Sequence, residues 1–483
     1  MTNNGQKSNN LNLSQKHPLL FGSWSFFYLA ALLAVVAIYG PSPIIYALFI
    51  VLAAFFILPD RNYLGLILIA GLTMIFERFF TLTGLTIGED VYKFYLLDAV
   101  LIFSFLALAY HLVRERTKIL FGWPEKILAA FLILVAVYFL RSFFDLNADF
   151  ASAFSSFKNY FFYPLIYFLA LYTINSKDEL KNFIHLLLFF AAGLIVFILI
   201  GFMRGAGLWT EFTPLSTGGI RYLAGTHAFY MLLAALIGIS LLFYDRIRNN
   251  LVGLVVLGCW TLGIGVSLMR HLWLALPMGI GLIFILLGKE GKKKFAAYAF
   301  KSFFVIINIA VIAVLFFNLS YFAISGNWFN NAMSSVSDRL VSLTELSSDS
   351  SASWRSDLWY DAKNVWEQNP IFGVGFGKSI LIDWGDFKNL EEIRNIHNSP
   401  LSITVQMGLL GAAFFGFFVI ASLVSVLKKI RLDEDLKPYY IGLFAGIAIF
   451  LFASLFQPYL ETNLLSLWFW LFLGLVRTSS RKL

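Results

Sequence analysis

A chain of 483 residues that is 59% hydrophobic and 13% charged has about half the charge of a soluble domain, too little polar surface to face water on all sides. Its net charge of +8 does not point to nucleic acid, because the basic residues gather in short segments between apolar blocks, as orientation signals do. One cysteine, Cys259, excludes a disulfide framework or a cysteine metal site within a single chain.

The first eighteen residues are polar, and hydrophobicity begins near Leu19. The block 21–39 is followed at once by another, so it reads as a retained first helix and not as a cleaved signal. Blocks of roughly 17–25 apolar residues suit helices that span a bilayer core, and they lack the alternation of barrel strands. In chain order the expected spans are 21–39, 43–58, 62–76, 95–113, 126–141, 159–174, 182–203, 226–244, 251–268, 272–288, 299–323, 399–427, 438–456 and 464–477. The fold class is therefore an all-α polytopic membrane protein of about 12–14 transmembrane helices.

Lysine and arginine set the orientation. Arg114-Glu-Arg116-Thr-Lys118, Asp245-Arg-Ile-Arg248, Lys289-Glu-Gly-Lys-Lys-Lys294, Lys428-Lys-Ile-Arg431 and Arg477 with Arg481-Lys482 fall on one side when the N-terminus is cytoplasmic. The resulting organisation is a cytoplasmic tail at 1–18, helices over 19–324, a large outer loop at 325–398, and C-terminal helices with a short cytoplasmic tail over 399–483. An inner membrane is expected, with both termini cytoplasmic. A connection as long as 325–398 is uncommon unless it is functional or disordered. Within it Trp354, Leu358, Trp359, Ala362, Val365 and Trp366 recur at helical spacing until Asn369-Pro370, which predicts an amphipathic helix. That helix either lies at the membrane interface or packs on the rest of the loop. The Ser/Asp-rich segment 334–353 reads as mobile.

Three outer positions carry the candidate chemistry. Arg221 lies in a glycine-rich turn before a span, Arg270 lies where one span turns directly into the next, and His397 lies where the long loop re-enters the membrane. Arginine at membrane depth costs about 2.5–3.5 kcal/mol on insertion scales and marks function by default. Its planar fork grips phosphate oxygens, so two arginines on one face suggest a lipid diphosphate. The bland alternative is that each snorkels to headgroups or pairs with a structural acid. Histidine is the side chain suited to take a proton near neutral pH, and of six only His227, His271 and His397 fall on the outer side. His397 is the candidate base, or else a helix cap. Asn398 would orient the imidazole or the acceptor, and Glu391 and Glu392 are alternative bases. No clustered Asp/His metal pattern occurs outside.

Four segments resemble those of the O-antigen ligase and Wzy-type polymerase superfamily. Arg221-Tyr-Leu-Ala-Gly-Thr226 is similar to its R-x-x-G-T segment, one residue longer. Ser267-Leu-Met-Arg-His-Leu-Trp-Leu-Ala275 is similar to S-R-x-x-W-L-A, with two residues inserted. Trp354-Arg-Ser-Asp-Leu-Trp359 with Asn369-Pro-Ile-Phe-Gly-Val-Gly-Phe-Gly377 resembles the long-loop signature. His397-Asn-Ser-Pro-Leu401 with Gly408-Leu-Leu-Gly411 resembles the H-N-x-x-L…G-L-x-G ending. The match spans about residues 205–427. The resemblance implies a membrane glycosyltransferase using an undecaprenyl-diphosphate-linked glycan donor and a glycan or lipid-linked acceptor, with no cofactor, metal or nucleic acid. Arg221 and Arg270 would hold the diphosphate, and His397 would activate the acceptor hydroxyl in a single inverting displacement. A polymerase extending surface or exopolysaccharide is the first expectation, and a ligase moving finished glycan to lipid A core or another acceptor the second. A transporter or flippase would instead use ionisable residues near mid-membrane, of which Asp98 is a candidate.

Overall fold

In a bilayer core the backbone has no water to bond, so apolar blocks fold as helices that satisfy their own N–H and C=O groups. The structure, a computed structural model, describes residues 62–76, 85–87, 90–92, 95–114, 116, 121–208, 210, 221–321, 334–337, 341, 350–384 and 387–478. The expected tail 1–18 and the spans 21–39 and 43–58 lie outside these residues. The helices are α1 (Asn62–Gly71, continued by a π turn, Leu72–Phe76), α2 (Leu96–Arg114), α3 (Trp123–Ser142), α4 (Phe150–Phe157), then a π turn (Lys158–Phe162), and α5 (Leu165–Thr173). There follow α6 (Lys177–Gly193), α7 (Ile195–Arg204), α8 (Gly225–Phe243), α9 (Asn250–Val266), α10 (Arg270–Leu286) and α11 (Lys289–Tyr321). After these come α12 (Ser350–Glu367), α13 (Ser399–Leu432), α14 (Lys437–Ala453) and α15 (Asn463–Leu475). Among the described residues, strand appears only as two short antiparallel hairpins, β1 (Leu85–Ile87) with β2 (Asp90–Tyr92) and β3 (Ser379–Trp384) with β4 (Phe387–Glu392).

Among the described residues, five stretches are long and apolar enough to cross a membrane: Leu97–Arg114, Trp123–Ser142, Lys177–Arg204, Gly225–Phe243 and Ser399–Leu432. Apolar helices of 10–17 residues stand beside them, at Tyr63–Ile75, Asn250–Val266, Arg270–Leu286, Lys437–Ala453 and Asn463–Leu475. The fold is that of an all-α polytopic membrane protein. Helices start earlier than the apolar blocks where a polar residue caps them. Asp149 accepts from Ser152 N at 2.7 Å and Ser176 from Glu179 N at 3.1 Å, satisfying N–H groups that a helix start leaves open.

Helix α8 is the hub. Nearly all of it is buried, and it packs against α9, α10 and α14. Small residues set the spacing, as in other membrane bundles: a Cβ on Gly442 would meet Ile237 Cα at 2.7 Å. The helix ends sort into two faces. One carries the ion pairs Lys177–Asp433 (2.8 Å), Lys181–Asp435 (2.7 Å), Arg246–Asp435 (3.4 Å) and Arg477–Glu125 (2.9 Å), and it is the face that the Lys/Arg pattern assigns to the cytoplasm. The opposite face carries the turns 143–149, 267–269 and 454–462, together with α12 and the β3–β4 hairpin.

The amphipathic helix of the long loop forms as α12, but its stripe does not lie on a membrane surface. Leu358 and Ala362 are fully buried with Ile380, Ile393, Ile396 and Val405, and Trp354, Val365 and Trp366 pack against them. The stripe therefore packs on the rest of the loop and the start of α13, the second of the two expected arrangements. In the segment expected to be mobile, 334–337 and 350–353 are helical, and the remainder apart from residue 341 lies outside the described residues. Lys378 pairs with Asp145 at 2.7 Å and Asp149 N donates to Gly377 O at 2.8 Å, which docks the loop on the 143–149 turn.

One long helix is broken. Gly408 in α13 has φ +66° and is non-helical, and the segment 369–377 fills the gap. Val374 N and Gly375 N donate to the Val405 and Gln406 carbonyls at 3.0 and 2.9 Å, while Leu409 N and Leu410 N donate to the Pro370 and Ile371 carbonyls at 2.9 and 3.1 Å. The backbone groups freed by the break are thus re-bonded by the loop, which non-helical backbone at membrane depth requires. Tyr138 adds donation to the Phe372 and Met407 carbonyls.

Candidate active site

Each arginine segment is shaped by its neighbours. The α9–α10 turn is tied by Ser267 Oγ donating to Ile264 O at 2.7 Å, and by the Trp273 indole donating to Ile264 O and Gly265 O at 3.1 and 3.2 Å. Leu268 between them has φ +57°, a conformation that costs a branched side chain strain and that concentrates at functional sites. The turn sets Arg270 and His271 as the first residues of α10. Opposite it, Arg221 precedes α8, whose first residue is Gly225. A Cβ there would collide with Met269 Sδ, so the glycine lets the Arg221 segment close on the Arg270 turn.

His397 is held from both sides. Trp359 Nε1 donates to Ile396 O at 2.8 Å, and Ser399 N donates to Ser454 O at 2.9 Å. Asn398 Oδ1 accepts from Leu401 N at 3.0 Å and caps α13. The cap is thus Asn398 and not His397, which leaves the imidazole for other work and ties the Asn398 side chain to the backbone. His397 sits at φ +56°, with the Trp354 ring edge-on at 5.3 Å and Gln457 Oε1 at 3.2 Å from Nδ1. Burial pushes its pKa down to about 4, the Arg355 guanidinium adds to this, and the Gln457 contact opposes it. The ring is consequently neutral at physiological pH and able to accept a proton.

His271 joins the pieces. Its Nε2 lies 2.7 Å from the Tyr459 hydroxyl, and Arg355, Arg221, Arg270 and His397 are all close enough for their charges to act on it. Two sequence-expected arginines, two expected histidines and Arg355 of α12 therefore converge, from five separate stretches of chain once Tyr459 is counted. Arg355 was visible only as part of a loop signature. Gln457, Tyr459 and Glu461, on the turn between α14 and α15, were not singled out by sequence, because polar residues between two spans carry no motif.

The other expected residues are placed elsewhere. His227 is fully buried in α8, its ring 4.6 Å from that of Phe197 and beside the Met74–Ile75 backbone. Glu391 and Glu392 end β4, opposite Ile380 and Ser379. Burial raises the Glu391 carboxyl, and Glu392 adds to the effect, while Glu392 lies 3.6 Å from Arg394. The buried acid nearest in sequence to the site turn is Glu461. Its carboxylate accepts from Ser399 and Tyr160, and its carbonyl accepts from Asn159 and from Arg394 Nη2 at 3.0 Å. Asp98 forms a buried ion pair with Lys158 and accepts from Tyr163 at 3.0 Å, a closed structural network. Among the described residues no group of three or more His, Cys, Asp or Glu is placed to hold a metal ion.

A family model described as O-antigen ligase, Wzy_C, matches residues 254–416. The matched stretch contains Arg270, His271, Arg355, Glu391, Glu392, His397 and Asn398, whereas Arg221 and the 454–462 turn lie outside it. A search of curated proteins finds no match to the chain. The match supports the motif resemblance and makes the chain a membrane glycan-processing enzyme at the general level. With an O-antigen ligase family model matching residues 254–416 of a multi-pass helical fold, the chain is similar to the O-antigen ligase and Wzy-type superfamily.

Proposed function

We propose that the chain is a glycosyltransferase that moves a glycan from undecaprenyl diphosphate to an acceptor hydroxyl on the outer leaflet of the inner membrane, and that it acts as a Wzy-type polymerase. The observation that carries this reading is the convergence of Arg221, Arg270 and Arg355 around His271 and His397. Three guanidinium groups at one site call for a multiply charged anion, and a lipid diphosphate brings one to the end of a membrane helix. In this reading 325–398 is the outer loop between the helices of 19–324 and those of 399–483, and both termini are cytoplasmic.

In the reaction the acceptor oxygen attacks the anomeric carbon on the face opposite the diphosphate. His397 Nε2 takes the hydroxyl proton as the new C–O bond forms. The old bond to phosphate breaks, and its electron pair leaves with undecaprenyl diphosphate, whose charge the arginines stabilise. One displacement inverts the anomeric carbon. The second reading, a ligase, is favoured by the match of residues 254–416 to the O-antigen ligase family, and the same groups would serve it.

His397→Asn tests the mechanism and separates the two readings. Asparagine tolerates the left-handed φ of this position, so the fold is retained while proton removal, worth about 10²–10⁴-fold, is lost. In cells carrying the variant, single repeat units on lipid are the expected product for a polymerase. Long unligated chains on lipid would instead assign a ligase. An unchanged lipid-linked pool and full transfer would end the base assignment.

A further inference from the structure

On the turn between α14 and α15, alternate residues each reach the site. Gln457 meets His397, Tyr459 meets His271, and Glu461 binds Ser399, the first residue of α13. The turn lies beyond the matched domain, which ends at residue 416. An imidazole has one nitrogen protonated when neutral, and the partner of one nitrogen decides the state of the other. An amide oxygen can only accept, so a ring nitrogen facing it must carry the proton.

We infer that Gln457 is a positioning residue: its amide oxygen accepts the Nδ1–H of His397 and leaves Nε2 as the nitrogen that receives the acceptor's proton. This inference rests on the proposed role of His397. Proton balance follows directly, since the imidazolium formed during transfer keeps Nδ1–H on Gln457 and returns the Nε2 proton to outer water after the product leaves. A closed set of contacts holds the amide in place. The Gln457 carbonyl accepts from Tyr459 N at 2.8 Å and lies 3.4 Å from Ser399 Oγ, whose proton goes to Glu461, so backbone and side chain of one residue bridge the two sides of the re-entry point. The titratable groups facing the ring are Arg355 on α12 and His271 on α10. On its own segment stands Arg394, bonded to the carbonyl of Glu461, and the Glu461 carboxylate is taken by Ser399 and Tyr160.

The test combines a spectroscopic and a kinetic readout on the full-length protein. With histidine labelled with nitrogen-15 and the His397 signal assigned through its loss in His397→Asn, the wild type should show Nδ1 protonated and Nε2 bare near neutral pH. Gln457→Leu removes the acceptor and should mix the two tautomers, lowering kcat roughly tenfold or more with KM unchanged. Gln457→Glu, which keeps an acceptor and adds a negative charge, should restore the tautomer and raise the His397 midpoint by about one unit or more. The acid limb of transfer should move with it. Wild-type tautomer and midpoint in both variants would overturn the inference, as would an altered tautomer in Gln457→Leu with full kcat. Full transfer by His397→Asn alongside a Gln457-dependent tautomer would instead remove the base reading, leaving the contact real and its catalytic role refuted.

Discussion

At the scale of single residues, the proposed site sets permanent positive charge beside a neutral imidazole. Arg355 disfavours a proton on the His397 imidazole until an anion arrives, and Arg221 and Arg270 stand with it around the neighbouring His271. Charge-assisted hydrogen bonds are worth about 1.5–3 kcal/mol each. Arg221→Ala or Arg270→Ala should therefore weaken donor use by roughly ten- to a hundredfold, with lysine rescuing only in part because it lacks the bidentate fork. Normal transfer kinetics in correctly inserted alanine variants would refute the clamp. The same coupling gives a pH signature. The His397 pKa is pushed down to about 4, so if the neutral ring is the base, as proposed, kcat/KM should hold from neutrality down to about that pH and fall below it. A bound diphosphate favours the imidazolium, so the acid limb of kcat should sit higher than that of kcat/KM. Identical limbs near the ordinary histidine value would contradict the buried, arginine-flanked environment. Arg221, Arg270 and His397 were legible because each sits in a motif at a span end. Gln457 and Tyr459 were not, since their meaning lies in contacts to residues 60 and 188 positions away.

At the scale of elements, most helices were legible because a spanning segment must be continuously apolar. Two starts that differ are fixed by polar caps, Asp149 and Ser176, where a local hydrogen bond outweighs hydropathy, while α11 begins ten residues before its apolar block, at Lys289. The break in α13 could not be read this way. Its cause is the segment 369–377, whose Gly373, Gly375 and Gly377 take positive φ so that the chain can run beside Gly408. A Cβ on Gly408 would fall on the Ile371 carbonyl, and one on Gly373 would come within 2.5 Å of Gly408 N. The glycines of the loop signature and of the G-L-L-G ending are thus two halves of one backbone junction. The junction lies eleven residues beyond His397, in the helix whose cap follows that histidine, so its geometry bears on where the imidazole stands. Gly408→Ala should cost about 1–3 kcal/mol from the positive φ alone, with the collision added. A lower melting temperature in detergent, together with reduced transfer, is expected. Gly416→Ala, which meets nothing within 4 Å on the same helix, should be close to neutral on both measures, and equal effects at the two positions would argue against the junction.

At the scale of the whole molecule, the two faces have opposite tasks. One carries two sets of ion pairs: Lys177, Lys181 and Arg246 with Asp433 and Asp435, which tie α6 and the α8–α9 turn to the α13–α14 turn, and Glu125 with Arg477, which ties α3 to the end of α15. The other carries the loop, the convergent arginines and both site histidines. The positive-inside rule assigns the first face to the cytoplasm, and the proposed reaction needs the second outside, where finished lipid-linked glycans are joined. Single cysteines distinguish the faces in a background where Cys259 is replaced by serine. Asn364 is exposed on α12, and Leu432 is exposed at the end of α13. An impermeant maleimide should label Asn364→Cys in cells whose outer membrane has been made permeable, and should reach Leu432→Cys only after the inner membrane is opened. Labelling in the reverse order would place the arginine cluster in the cytoplasm, and an outer-leaflet polymerase or ligase would then be untenable for this chain. Labelling of both before the inner membrane is opened would mean that α13 does not cross the bilayer between its re-entry at His397 and its basic end at Lys428–Arg431, which would remove the support on which the site is built.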